Sequence, residues 1–209
     1  MPGWSRVDPA SFRRLDLRAH ALLADVPLHD VWMVELPGGG PNRTLSDARA
    51  FMSSESLVSL NPVVRGLFQL RKWLGRAFRW DSTTRTPSAQ SFMHRLSDED
   101  RKQSLIEPGS ADGPFTAIYV RPFEAVSEIR NATVHAFSVF AFEPCSGGYR
   151  LFWAIFVAPV NRLTAFYMAL IDPFRRVLIY PAILRHVHQA WCAANPSQPS
   201  DTRLKHVAW

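Results

Sequence analysis

SEIRNATVHAFSVFAFEP (residues 127–144) and GYRLFWAIFVAPV (148–160), followed by NRLTAFYMALIDPFRRVLIYPAILRHVHQAW (161–191), decide the fold. The first two segments are dense in β-branched and aromatic residues, the composition of buried strands. Between them Glu143-Pro144-Cys145-Ser146-Gly147-Gly148 predicts a hairpin turn, with Gly147 and Gly148 supplying any positive φ. Read as one continuous strand, residues 127–144 put Ile129, Asn131, Thr133, His135, Phe137 and Val139 on one face by parity. Glu128, Arg130, Val134, Ala136, Ser138, Phe140 and Phe142 take the other. In the second strand Leu151, Trp153, Ile155 and Val157 alternate with Arg150, Phe152, Ala154 and Phe156. Both faces are apolar, so both are expected to be covered.

The third segment is a helix. At 100° per residue, Tyr167, Leu170, Ile171, Phe174, Leu178, Pro181 and Leu184 stay within about 80° of Leu163. Asp172, Arg175 and Arg176 fall on the far side. Proline in a helix interior costs about 3 kcal/mol and bends it. Because the apolar stripe holds phase across Pro173 and Pro181, one kinked helix is expected rather than two.

Working outward, HDVWMVELP (29–37) reads as a strand ended by Pro37-Gly38-Gly39-Gly40-Pro41. The glycines lack the Lys-Ser/Thr ending of a phosphate loop and the G-x-G-x-x-G spacing, so a turn is the better account. Phe115 to Arg121 is a strand, and Pro122 precedes the next. Helices are expected at 9–23, from Thr44 or Ser46 to Met52, and within LSDEDRKQSL (96–105) with Ser97 as cap. SFMHRL (91–96) is the best candidate for an additional strand. NPVVRGLFQLRKWLGRAFRWD (61–81) is an amphipathic helix with Arg65, Gln69, Lys72, Arg76 and Arg79 along one line.

The 209 residues form one domain with an ordinary 47% of hydrophobic and 20% of charged residues. Residues 1–27 are expected as a partly helical N-terminal segment, 28–192 as the single domain and 193–209 as a mobile tail. The net charge of +6 is spread along the chain, mostly on arginine. A spread excess bears on solubility and gives no specific nucleic-acid site. The N-terminus has no signal-peptide core and no uncharged run reaches membrane-spanning length, so a cytoplasmic protein is expected. The N-x-T sequons at Asn42 and Asn131 then carry no glycan. Sparse cysteine (Cys145 and Cys192) fits a reducing compartment and no metal spacing. His186 and His188, two apart on a helix, do not share a face, so no metal is expected. No cofactor motif and no G-x-S-x-G elbow is present.

SEIRNATVHAF (127–137), LFWAIFVAPVNRLTAFYMALIDPFRR (151–176), VVRGLFQLRKWLGRAFRWD (63–81) and LHDVWMVELPGG (28–39) together resemble domain of unknown function family 2867, a family of mostly bacterial proteins. The resemblance spans most of residues 28–191, and IDPFRR with its following proline is its most specific part. It implies an α+β helix-grip fold related to the START and Bet v 1 (SRPBCC) superfamily. In that fold a curved antiparallel sheet grips a long, kinked C-terminal helix and encloses a cavity for lipids, polyketides or similar apolar molecules. It implies no catalytic residue.

Within such a pocket Asn131, Thr133 and His135 are the first polar candidates. Tyr119, Phe137, Trp153 and Tyr167 are expected to complete the ligand-binding lining. Glu128 and Arg130 are expected to form an ion pair. The leading function is binding of a small apolar ligand. The alternatives are an enzyme of the same fold (cyclase, isomerase or dehydratase) using His135, or a peripheral membrane or interaction protein using the basic helix 63–80. A homo-oligomer is left open.

Overall fold

A computed structural model describes residues 3–52, 90–130, 134–160 and 162–195. The expected basic helix, the pair Asn131 and Thr133, the side chain of Tyr167 and most of the C-terminal tail lie outside the described residues.

The fold is α+β. Seven strands form one curved antiparallel sheet in the order β1-β2-β7-β6-β5-β4-β3. They are β1 (Trp4–Arg6), β2 (Leu28–Pro37), β3 (Ala111–Asp112), β4 (Phe115–Val120), β5 (Glu124–Arg130), β6 (His135–Cys145) and β7 (Gly148–Ala158). Short helices α1 (Pro9–Arg13), α2 (Arg18–Leu22), α3 (Leu45–Arg49) and α4 (Asp98–Lys102) decorate it. The C-terminal helix runs as α5 (Arg162–Phe174), a π-helical turn (Arg175–Ile179) and α6 (Tyr180–Ala194). Register shifts in β2 between Leu28 and Asp30, and in β4 between Ala117 and Tyr119, add local twist to the sheet.

Residues 127–144 are not one strand. β5 pairs antiparallel with β6 in a register that sets Arg130 opposite His135 and Glu124 opposite Ala141. The chain therefore reverses between Arg130 and His135, and single-strand parity does not carry across. The next hairpin turns within the expected stretch but more tightly: Glu143 and Pro144 still pair with Arg150 and Tyr149, Cys145 pairs with Gly148, and Gly147 takes φ 87° at its tip.

Each face of the sheet has its own core. On one face α6 packs Tyr180, Ile183, Leu184, Val187 and Trp191 against Trp32, Val34, Leu36, Leu151 and Phe142. On the other, Phe12 of α1 and Leu22 and Leu23 at the end of α2 cover Phe137, Val139, Phe152 and Phe156. Both faces of β6 and β7 are apolar because both are covered. The expected helix over 9–23 is thus two short ones, broken at Arg14–Leu17. SFMHRL is not a strand but a 3₁₀ turn over Phe92–Arg95, started by the Ser91 hydroxyl accepting from the Met93 N–H.

The C-terminal helix is continuous through both prolines, with a π-turn between them. Tyr180 N–H reaches back five residues to the Arg175 carbonyl, adding one residue to that turn. The insertion shifts the helical phase. Phe174 and Leu178, expected on the apolar stripe, are exposed, and Val177 is 70% exposed. Arg176, expected on the solvent face, instead reaches Asp30 of β2. Among the glycines, Gly39 (φ 87°) sits against Trp191, where a Cβ would lie 2.6 Å from the indole. Trp191 Nε1 donates to the Pro37 carbonyl at 2.9 Å, so the glycine cluster is a packed turn.

Candidate functional site

Pairing across the sheet places residues in rows. One row runs Arg6, Trp32, Trp153, Phe140, Ala125 across β1, β2, β7, β6 and β5. The next runs Asp30, Ile155, Ser138, Ser127. Directly paired residues point to the same side of a sheet. Both rows face the C-terminal helix.

Trp153, Phe140 and Trp32 make an aromatic floor. Phe140 stacks on Trp153 with centroids 5.6 Å apart, and Tyr180 lies 5.3 Å above Trp32 and 4.9 Å from Trp153. Trp153 Nε1 donates to Ser138 Oγ at 2.9 Å. The Ser127 hydroxyl is held by Asp112, which also pairs with Arg49. The floor is incompletely covered: Trp153 and Ala136 are only half-buried although they lie mid-sheet. Trp32 is 7% exposed, and its Nε1 is buried without a hydrogen-bond partner among the described residues. A buried N–H without an acceptor costs about 1–3 kcal/mol.

At the β1 edge the floor meets a charged cluster. Asp30, with a side chain 1% exposed, accepts from Arg6 Nε at 2.8 Å and from Arg176 Nε at 3.1 Å. Asp172 Oδ2 lies 2.7 Å from His29 Nε2 and 3.3 Å from Arg176 Nη2, and its Oδ1 lies 3.4 Å from Arg175. Arg175 also donates to the Tyr180 hydroxyl. Burial pushes that phenol up to about 12, despite the arginine, so it is a neutral donor at physiological pH.

The expected lining residues divide between the two faces. Trp153 is in the floor just described. Tyr119, His135 and Phe137 lie in the opposite core, under α1 and α2. Those three do not share a chamber with Trp153, because the β5–β6 reversal and the β6–β7 register set their side chains on the other side of the sheet.

On that opposite face His135, 1% exposed, places Nε2 2.9 Å from Glu128 Oε2 between the rings of Phe92 and Phe137. Glu128 also accepts from the Ser91 hydroxyl and the Phe92 N–H, and Arg130 Nε lies 3.3 Å away. Burial opposes the charged form of Glu128, but these hydrogen bonds outweigh it and hold the carboxyl below its usual range. Ser91 is bonded to the carboxylate and not to the imidazole, which is not the order of a nucleophile–base pair. Tyr119 donates to Glu124 Oε1 at 2.6 Å, and Glu124 also accepts from the N–H groups of Arg18 and Ala19. These carboxylates fasten the N-terminal helices and the Phe92 turn to the sheet.

A separate open groove of about 380 Å³ lies among Leu15–Leu17, Arg121–Glu124 and Ala141–Pro144. It is away from the aromatic floor, and Glu124 in its wall is already fully engaged.

Among the described residues no group of three metal-ligating side chains occurs, and no helix is long and apolar enough to cross a membrane. A family model described as protein of unknown function (DUF2867) matches residues 22–182. The chain belongs to the DUF2867 family. No curated protein and no solved structure matches it. The DUF2867 match takes in the aromatic floor, Asp30 and the π-turn together.

Sequence reasoning placed Trp153 among the lining residues but missed Trp32, Ser138 and Tyr180. The tryptophan in HDVWMVELP was visible only as a strand residue on the face of Val34 and Leu36. Its unpaired N–H and its position beside Trp153 depend on the β2–β7 pairing.

Proposed function

We propose that this DUF2867 protein binds a small apolar molecule on the helix-facing side of the sheet, over Trp153, Phe140 and Trp32 and beside Tyr180. The observation that carries the reading is the buried indole N–H of Trp32 without an acceptor among the described residues, in a floor whose central Trp153 is left half-buried. Ligand sites are commonly apolar and aromatic with a few placed polar groups, and Ser138, Ser127 and the Trp32 N–H are such groups here. A bound molecule carrying one oxygen would satisfy the indole and cover the exposed part of Trp153. With this reading go a helix-grip fold of the START and Bet v 1 kind and a cytoplasmic location.

Titration with a neutral fluorescent probe, N-phenyl-1-naphthylamine, tests it. Saturable one-to-one binding that is lost in Trp153→Glu, with native mass spectrometry showing one ligand per chain, is the expected result. Absence of both saturable binding and any co-purified small molecule counts against it.

A further inference from the structure

We propose that the molecule taken by this face is an amphipathic carboxylate, its apolar part over Trp153 beside Tyr180 and its acid group at Arg6 and Arg176. The proposal rests on the binding reading above and adds the class of ligand.

The argument begins with the row itself. Arg6 is paired with Trp32, Trp32 with Trp153, and Trp153 with Phe140, so one cation stands at the end of three aromatic side chains. Three strand spacings of ~4.8 Å make that row about 14 Å long. Tyr180 packs over Trp32 and against Trp153, so the open part of the row is at Trp153, and the Arg6 guanidinium stands beyond the Tyr180 ring.

The charge balance at that end is positive. Arg6, Arg175 and Arg176 face Asp30 and Asp172, so the arginines outnumber the carboxylates three to two. The two carboxylates have both oxygens occupied. Asp30 uses Oδ1 for Arg6 and Oδ2 for Arg176, and Asp172 uses Oδ1 for Arg175 and Oδ2 for His29 and Arg176. Arg6 spends Nε on Asp30, and its side chain is 54% exposed. Its two terminal nitrogens present a fork suited to a carboxylate. Asp30 holds that fork at the mouth of the floor rather than letting it swing into solvent.

The π-turn supplies the rest of the setting. It turns Arg175 and Arg176 inward and leaves Phe174, Val177 and Leu178 exposed beside them. Cationic and apolar side chains are thereby interleaved at one rim, which matches a ligand with an acid head and an apolar body.

Competition separates the ligand class from the binding reading. Dodecanoate and dodecanol, both below their micelle-forming concentrations, displace N-phenyl-1-naphthylamine from the wild-type protein. The acid is expected to compete at least tenfold better at low salt, with the preference shrinking as salt is raised. Arg6→Gln and Arg176→Gln, each checked for folding by near-ultraviolet circular dichroism, are expected to weaken the acid about tenfold and the alcohol far less. Equal competition by acid and alcohol overturns the carboxylate assignment and leaves the binding reading standing. A preference that survives both substitutions overturns the placement of the acid at these arginines. No probe binding at all refutes the binding reading itself.

Discussion

Asp100→Asn is expected to destabilise the protein by about 1–2 kcal/mol at neutral pH and by about half as much near pH 3. Asp100 caps α4, accepting from the Ser97 N–H and hydroxyl, and it receives Arg18 through Nε and Nη2 and Arg121 through Nη2 at 2.7 Å. The Arg18 hydrogen bonds come first in holding its carboxyl down to about 2, with the Ser97 bonds adding to them against the cost of burial. The ordinary value is 3.8. At 1.36 kcal/mol per unit, the difference corresponds to roughly 2–3 kcal/mol. The Arg18 side chain is 39% exposed, so solvent screening trims this to about 1–2 kcal/mol. Because the folded-state value lies below the unfolded one, the stabilisation is complete above about pH 4 and is lost as pH falls through about 2. Urea unfolding followed by tryptophan fluorescence, for wild type and variant at pH 7, 5, 4 and 3, reads this directly. A wild-type-minus-variant difference that stays constant over that range would refute the argument, since it would place the loss in shape rather than charge.

Three further outcomes follow from the same geometry. Glu128→Gln weakens the anchor of the Phe92 turn and leaves His135 facing a neutral amide, so thermal unfolding should show a loss of about 1–3 kcal/mol; an unchanged melting temperature would mean the pair contributes nothing net. Gly39→Ala puts a Cβ against the Trp191 ring at a positive φ and should cost more than Gly147→Ala, which has the same φ of 87° but open space around it; chemical denaturation of both variants makes the comparison. Ser138→Ala removes the acceptor of Trp153 Nε1, so it should cost about 1 kcal/mol in urea unfolding and shift the tryptophan emission; no spectral change would place the indole elsewhere.

Alternation and turn chemistry made β2, β7 and the 145–148 hairpin legible, because each is bounded by glycine or proline. The caps at Thr44 and Ser97 were legible for the same local reason, and both form with reciprocal Asp47 and Asp100 bonds. Residues 127–144 misled because no glycine or proline interrupts them before Pro144. A run without such residues reads as one strand, and parity then set Glu128 opposite His135, where the hairpin brings them to 2.9 Å. The helix was legible as continuous, but a π-turn inserts a residue without any composition signal, so the exposure of Phe174 and Leu178 was not.

The division of the expected lining between two faces has a physical cause that periodicity cannot reach. Parity within a strand sorts its own residues into two sets, but the sets of neighbouring strands are matched only by register. Trp153 pairs with Phe140, and His135 pairs with Ala158, so the indole and the imidazole belong to opposite cores. Each core then takes a different kind of polar group. Under α1 and α2 the carboxylates of Glu124 and Glu128 are saturated by N–H, hydroxyl and imidazole partners, which is what fastening requires. On the helix side, the Trp32 N–H is left without a partner and Trp153 half-covered. Folding alone gains nothing from that arrangement. His20 Nε2 and Arg121 Nε are likewise buried without a partner among the described residues, so it is the half-covered aromatic floor beside the Trp32 N–H that the binding reading follows rather than His135.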